Sequence, residues 1–263
     1  MEISTAWQQY RQLRLWLLTT ILAVGLTLGG CSKLGESAKT ANVSPEFEQQ
    51  VIQVIRNNPK AILESVQAYQ QQQQENLQSS RQSFLEQMKT NPSAIIGSSP
   101  TTGASSQQIV LLEFSDFQCP FCARAHQTIK QFMDKHQGQV TLVYKHLPLS
   151  QIHSEALPAA KASWAAQQQG KFWQYQDALF TQQEKLGEDL YVQIATTLNL
   201  DLEQFNRDRQ SAEAQASIQK DLELAQTLAI SGTPFFVING ETFSGAVELS
   251  EMEEVLARVS SKN

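Results

Sequence analysis

The spacing of apolar residues changes several times along the chain, and each change predicts a different element. An apolar run from Leu15 to Leu28 follows the basic residues Arg11 and Arg14 and ends on Gly29-Gly30-Cys31. Residues 32–43 are small and polar, as in a tether. Ser44-Pro45-Glu46 then supplies an N-cap, a first-turn proline and an acid at the positive end of a helix. Phe47, Val51, Val54 and Ile55 recur behind it at helical spacing, and Asn58-Pro59 repeats the start signal. Ile62, Val66, Tyr69, Leu77, Phe84 and Leu85 carry a looser stripe to Met88, interrupted by the polar run Gln70 to Gln74, which reads as exposed helix. Ser, Thr, Gly and Pro dominate residues 91–108, which predicts a linker. Beyond it, Ile109 to Phe114 and Val140 to Tyr144 are β-forming runs separated by a helical segment ending near His136. Helical periodicity then persists from Ile152 to Leu228. Phe235 to Ile238 reads as a strand, Asn239-Gly240 as a hairpin turn, Thr242 to Gly245 as its partner strand, and Ser250-x-x-Glu253 as a capping box for a last helix.

Composition narrows the class. A chain of 263 residues suffices for one large or two modest domains, and its 21 aromatic residues supply core material. The net charge of −6, with 17% of residues charged, speaks against a nucleic-acid footprint, so no nucleic-acid partner is expected. The basic, apolar, small-residue order before Cys31 is that of a secretory signal, and the 16 residues from Leu15 to Gly30 fall short of the roughly 20 that span a membrane. Leu28-Gly29-Gly30-Cys31 resembles a bacterial lipobox, which implies that Cys31 is acylated and becomes the first mature residue; a plain signal peptide with an accidental Cys is the alternative. The division that follows is a signal peptide over 1–30, a tether over 31–43, a helical extension over 44–90, a linker over 91–108 and an α/β domain over 109–263 with a helical insert at about 150–228.

Export leaves Cys119 and Cys122 as the only thiols beside the lipidated one, in an oxidising compartment. With Pro120 at the first helical position, Cys119 sits at the positive end of a helix, where unpaired amides stabilise a thiolate. Cys119 is then the nucleophile and Cys122, one turn inside, the resolving thiol. A zinc site could draw on Cys119, Cys122 and His126 but has no fourth ligand, and haem attachment would need His where Ala123 stands. A purely structural disulfide would close too short a loop to stabilise much. No metal or other cofactor is expected.

Leu112-Glu113-Phe114-Ser115-Asp116-Phe117-Gln118-Cys119-Pro120-Phe121-Cys122, then Gln169-Gly170-Lys171-Phe172-Trp173, then Gly232-Thr233-Pro234-Phe235-Phe236-Val237 resemble the signature stretches of the DsbA-like disulfide oxidoreductases of the thioredoxin superfamily. The resemblance covers about residues 109–259 and implies an α/β thioredoxin fold with an inserted helical domain, here preceded by the helical extension. It implies that Pro234 is a cis-proline facing the cysteines and that Thr233 offers backbone groups to an extended substrate, with Pro120 and Phe121 also at the substrate surface. It further implies that Glu113 is a buried carboxylate moving protons for Cys122; an edge-strand Glu facing water is the alternative. Trp164, Phe172, Trp173 and Phe180 are expected in the insert core, and Asp116 and His126 at the surface near the site.

The expected function is an exported, lipid-anchored protein disulfide oxidoreductase, on the extracytoplasmic side of a membrane, acting on extracytoplasmic protein thiols and disulfides and recharged by a membrane redox partner. Phe121 stands where the best-known oxidants of the family carry His; it cannot hydrogen-bond the thiolate, so a weaker oxidant is expected. Thr before the cis-proline occurs also among disulfide isomerases. A disulfide isomerase or reductase, and a chaperone-like lipoprotein with a structural disulfide, therefore stay open as alternatives. Related exported proteins with such an extension self-associate through it, so a homo-oligomer is also open.

Overall fold

The computed structural model describes residues 44–261. The signal peptide expected over 1–30, the tether expected over 31–43 and Cys31 lie outside the described residues. The chain divides into two compact units, one ending at Ser65 and the other beginning at Val66.

The first unit holds helix α1 (Pro45–Asn57) and the opening turns of α2 (Pro59–Thr90). Ser44 caps α1 by accepting the Phe47 amide at 3.2 Å, and the Asn58 side chain closes its other end on the Val54 carbonyl at 2.8 Å. No residue of α1 is buried: Phe47, Val51, Ile52, Val54 and Ile55 all stand exposed, as do Ile62 and Leu63 in α2. The glutamine run does not break α2, since Gln71 bonds Glu75 at 2.9 Å one turn on, the i,i+4 pairing that supports exposed helix.

The second unit is built on a sheet of order β1-β3-β2-β4-β5. Strands β2 (Ile109–Ser115) and β3 (Val140–His146) run parallel, joined across the sheet by α4 (Pro120–His136), while β4 (Phe235–Ile238) and β5 (Glu241–Ser244) form an antiparallel hairpin beside β2. Every residue of β2 and β3 is buried, including the polar Glu113, Ser115, Thr141, Lys145 and His146, because both faces of these central strands are covered. One face packs Leu111, Leu142, Phe236 and Ile238 against Ile129 and Phe132 of α4 and against Met252, Val255 and Leu256 of α10 (Leu249–Ser260). The insert comprises α5 (Ala156–Gln168), α6 (Phe172–Thr181), α7 (Glu188–Thr197), α8 (Leu202–Asp208) and α9 (Ala212–Thr227). Its core of Tyr175, Leu179, Tyr191 and Phe205 is continuous with Phe117, Cys119 and Cys122.

Residues 91–108 are not a plain linker. They form α3 (Pro92–Ile96), which buries Ile95 and Ile96, and β1 (Thr101–Gly103), which pairs antiparallel with β3. Gly103 fits because a Cβ there would collide with the Val140 carbonyl. The end of α2 belongs to the same core: Phe84 and Met88 pack with Ile95, Ile96, Val110, Leu112 and Phe114 on the second sheet face. The α/β unit thus begins well before residue 109, because the second face would otherwise stay wet. The capping box is also absent. Glu248 is the N-cap of α10 and Ser250 already lies in its first turn. The Asn239-Gly240 turn has positive φ at both positions, 42° and 99°, and the Asn239 side chain ties it to the start of β2 through the Val110 amide and the Gln108 carbonyl.

Candidate active site

Strand β2 ends at Ser115, and the chain turns through Asp116, Phe117 and Gln118 before α4 starts at Pro120 with Cys119 as N-cap. The Cys119 carbonyl accepts the amides of Cys122 (3.0 Å) and Ala123 (3.2 Å), so the sulfur lies at the positive end of a 17-residue helix. The turn is held from several sides. The buried Asp116 carboxylate accepts the amides of Gln118 (2.8 Å) and Leu149 (3.0 Å) and His153 Nδ1 (2.8 Å). From the insert, Gln183 Nε2 donates to the carbonyls of Phe117 (2.7 Å) and Cys119 (3.0 Å), and Gln118 Oε1 accepts the Glu155 amide at 2.6 Å.

Both thiols are free, and their environments drive them apart. Cys119 is 3% exposed, with its Sγ 3.4 Å from the Thr233 carbonyl oxygen, and the Thr233–Pro234 peptide bond is cis. Its pKa is lowered to about 5, chiefly by a hydrogen bond from the Cys122 thiol; burial opposes this, and the Thr233 hydroxyl and the amides of Cys122 and Phe121 add to it. Cys122 is fully buried and its pKa is raised, first by burial and then by the neighbouring Cys119 sulfur. The Asp116 amide is its backbone donor, at 3.5 Å from Sγ.

Glu113 lies in the middle of β2 with no exposure and, among the described residues, no hydrogen-bond partner for either oxygen. Burial raises its pKa to about 7, against a smaller lowering by the Ser115 hydroxyl. Pro120 and Phe121 are exposed, Phe121 by 50%, with the Arg124 guanidinium 4.5 Å from its ring centre. Thr233 is half-buried and Pro234 buried. Phe172 and Phe180 are buried, whereas Trp164 and Trp173 are half-buried.

Two expectations about this region are overturned. Asp116 is buried rather than at the surface, because its oxygens hold the turn. His126 is buried against Phe180, with ring centres 4.9 Å apart, and its Nε2 pairs with Asp177 at 2.9 Å. Sequence reasoning missed Ser115, Tyr144, His146 and Gln183. The first three were within reach of strand parity, since Ser115 is two residues from Glu113 and the β2–β3 register sets Tyr144 beside Glu113 and His146 beside Ser115.

A thioredoxin family model matches residues 96–258. The chain belongs to this thioredoxin family. A thioredoxin-like oxidoreductase from Silicibacter pomeroyi is 32% identical, with a TM-score of 0.60 over 65% of this chain and 99% of that one. Two less similar structures share the fold: the thiol-disulfide exchange protein alpha-DsbA2 of Wolbachia pipientis (18% identical, TM-score 0.60, 71% of this chain and 97% of that one) and ScsC of Proteus mirabilis in a transitional conformation (22%, 0.60, 83% and 97%). Among curated proteins, a Na(+)/H(+) antiporter NhaA of Salinispora tropica is 31% identical over 150 residues, 57% of this chain but 23% of the antiporter. The match thus spans about a quarter of that relative. No helix among the described residues is long and apolar enough to cross a membrane. The chain is thus a thioredoxin-family protein that carries two free thiols at the start of α4.

Proposed function

We propose that this chain is an exported enzyme that exchanges disulfides with extracytoplasmic proteins through Cys119 and Cys122. The observation that carries the proposal is the placement of two free thiols within one turn at the start of α4, Cys119 against the Thr233 carbonyl and Cys122 fully buried, which lowers the pKa of one and raises that of the other. In the oxidising direction a client thiolate attacks the Cys119 sulfur of the Cys119–Cys122 disulfide, and Cys122 leaves with the electron pair and takes up a proton. A second client thiolate then attacks the client sulfur of the mixed disulfide, and Cys119 departs as a stable thiolate. Run backwards, the same steps reduce or shuffle a client bond. Glu113 is the group that exchanges the Cys122 proton, since its pKa of about 7 lets it give or take one near neutrality.

The client lies in extended form along the Thr233 backbone, whose carbonyl already faces Cys119, while exposed Pro120 and Phe121 supply an apolar rim. Phe121 gives the thiolate no side-chain donor, so its stabilisation falls to Cys122, the Thr233 hydroxyl and the backbone, which supports a moderate oxidant and leaves isomerisation within reach of the same site. Leu28-Gly29-Gly30-Cys31 supports anchoring through a lipid on Cys31, with a membrane protein returning electrons to or from the pair. The exposed apolar residues of α1 support self-association of the extension.

Trapping tests the assignment. Cys122→Ser should accumulate mixed disulfides with clients and Cys119→Ser none, and Cys119 should be the faster thiol to alkylate at pH 6. Faster alkylation of Cys122, or client binding unchanged when both cysteines are replaced, would favour a chaperone-like lipoprotein instead.

A further inference from the structure

Beneath the cysteines lies a group of polar side chains that the exchange chemistry above leaves unexplained. Glu113, Ser115, Tyr144 and His146 are buried, and the two Glu113 oxygens, the Ser115 and Tyr144 hydroxyls and both His146 ring nitrogens have no hydrogen-bond partner among the described residues. They sit on one face of two adjacent strands, Glu113 level with Tyr144 and Ser115 level with His146. Aromatic rings wall the group: Phe117 stacks on Tyr144 at 5.4 Å, and Phe172 lies 5.1 Å from Tyr144 and 6.0 Å from His146. Buried polar atoms in such number cost too much to be incidental packing, since each ordinarily finds a partner.

Ser115 is the member that links this group to the chemistry. The amide of the next residue, Asp116, reaches Cys122 Sγ at 3.5 Å, which brings the sulfur to the end of β2. The Ser115 hydroxyl lies near enough to Cys122, Glu113 and Tyr144 to lower the pKa of each, although it closes a hydrogen bond with none. A hydroxyl that rotates, donating on one side and accepting on the other, is what a proton needs to cross between a thiol and a carboxylate.

We propose that Ser115 relays the proton between Cys122 and Glu113, with Tyr144 and His146 as neutral dipoles that solvate the carboxylate as it changes charge. This rests on the exchange reaction assigned to Cys119 and Cys122. In the resolving step the Cys122 thiol gives its proton to the Ser115 oxygen while the Ser115 hydroxyl gives its own to Glu113. The Cys122 thiolate then attacks the Cys119 sulfur of the mixed disulfide; the Cys119–Cys122 bond forms, the Cys119–client bond breaks, and the client leaves as a thiolate. The proton returns by the same route when a later client opens the disulfide. His146 stays out of the titration, because burial, with a smaller contribution from Lys145, lowers its pKa to about 3, and burial raises that of Tyr144. The other ionisable groups around the relay are Cys119 at the N-cap of α4, Asp116 in the turn after β2, His153 bound to Asp116, and Asp221, which accepts the His146 amide.

The test uses the full chain charged with a fluorescent thiol peptide as a mixed disulfide on Cys119, with peptide release followed by stopped flow between pH 5 and 9. Ser115→Ala should slow release at pH 7 roughly 10- to 100-fold and move the rising limb of the pH profile upward. Ser115→Thr, which keeps the hydroxyl, should restore the rate, and alkylation of Cys119 should be the same in all three proteins. Glu113→Gln should be as slow as Ser115→Ala, and the double variant no slower. Release by Ser115→Ala at the parent rate, with Glu113→Gln slow, overturns the relay and leaves Glu113 as a direct base. A slow Ser115→Ala that Ser115→Thr fails to restore assigns Ser115 a packing role and also overturns the relay. No release from the parent protein at any pH overturns the exchange reaction itself.

Discussion

Glu113 shows what a single side chain costs and offers. A carboxyl group whose pKa rises to about 7 on folding, from 4.5, holds its proton more tightly in the folded chain than in the unfolded one. Stability from this group is therefore full below about pH 4.5, declines as the pH rises through about 7, and is constant above; the loss is about 3 kcal/mol at 1.36 kcal/mol per pKa unit. His146 acts with the opposite sign, since its pKa falls to about 3 on folding and its contribution is lost as the pH drops from 6.5. The two partly cancel in the parent protein, so the difference from Glu113→Gln isolates the carboxyl. Urea unfolding at pH 5 and pH 8 should show that variant gaining on the parent by about 2 to 3 kcal/mol between the two values; a constant difference would mean that Glu113 is not buried and unpaired in solution. The cysteine pair was legible from its spacing behind a helix start, whereas the cis Thr233–Pro234 step followed only from the family resemblance, since identity and spacing alone would have read it as a strand start. Ser115, Tyr144 and His146 were missed: strand parity could place them on the Glu113 face, but Ser, Tyr and His in a strand ordinarily find partners, and only the fold shows that these find none among the described residues.

At the scale of elements, α2 has two characters along one helix. Phe84 and Met88 near its end are buried in the sheet-facing core, whereas Val66 and Tyr69 are exposed. Phe84→Ala should cost about 3 to 5 kcal/mol in chemical denaturation, as expected for a large aromatic removed from a packed core. Phe47→Ala, at a residue 56% exposed in α1, should stay within about 0.5 kcal/mol. Equal effects would refute the division of roles. The apolar stripe predicted the helix itself, but not where its packing begins, since periodicity reports a face and not what covers it. Residues 91–108 failed differently. Their small polar composition describes a loop, yet β1 is held by backbone pairing to β3 and α3 by two isoleucines, neither of which composition weighs.

At the scale of the molecule, the first unit exposes Phe47, Val51, Ile52, Val54, Ile55, Ile62 and Leu63, more apolar side chain than a helical segment of this length usually leaves to water. Residues 32–263 should therefore scatter light as an oligomer, and Val51→Asp with Ile55→Asp should reduce the mass to a monomer while Cys119 alkylation is unchanged. A monomeric parent would refute self-association through this face. Truncation near residue 98 would be a poor comparison, since it also removes Phe84, Met88, Ile95 and Ile96 from the core. A separate constraint runs through Gln183, which sits beyond α6 in the insert yet donates to the carbonyl of Cys119. Anyone seeking a smaller enzyme by cutting out the insert and splicing β3 toward β4 would recover the sheet and lose the brace on Cys119. The insert is thus part of the reactive centre's scaffold, and shrinking this protein to bare thioredoxin size would separate its shape from its chemistry.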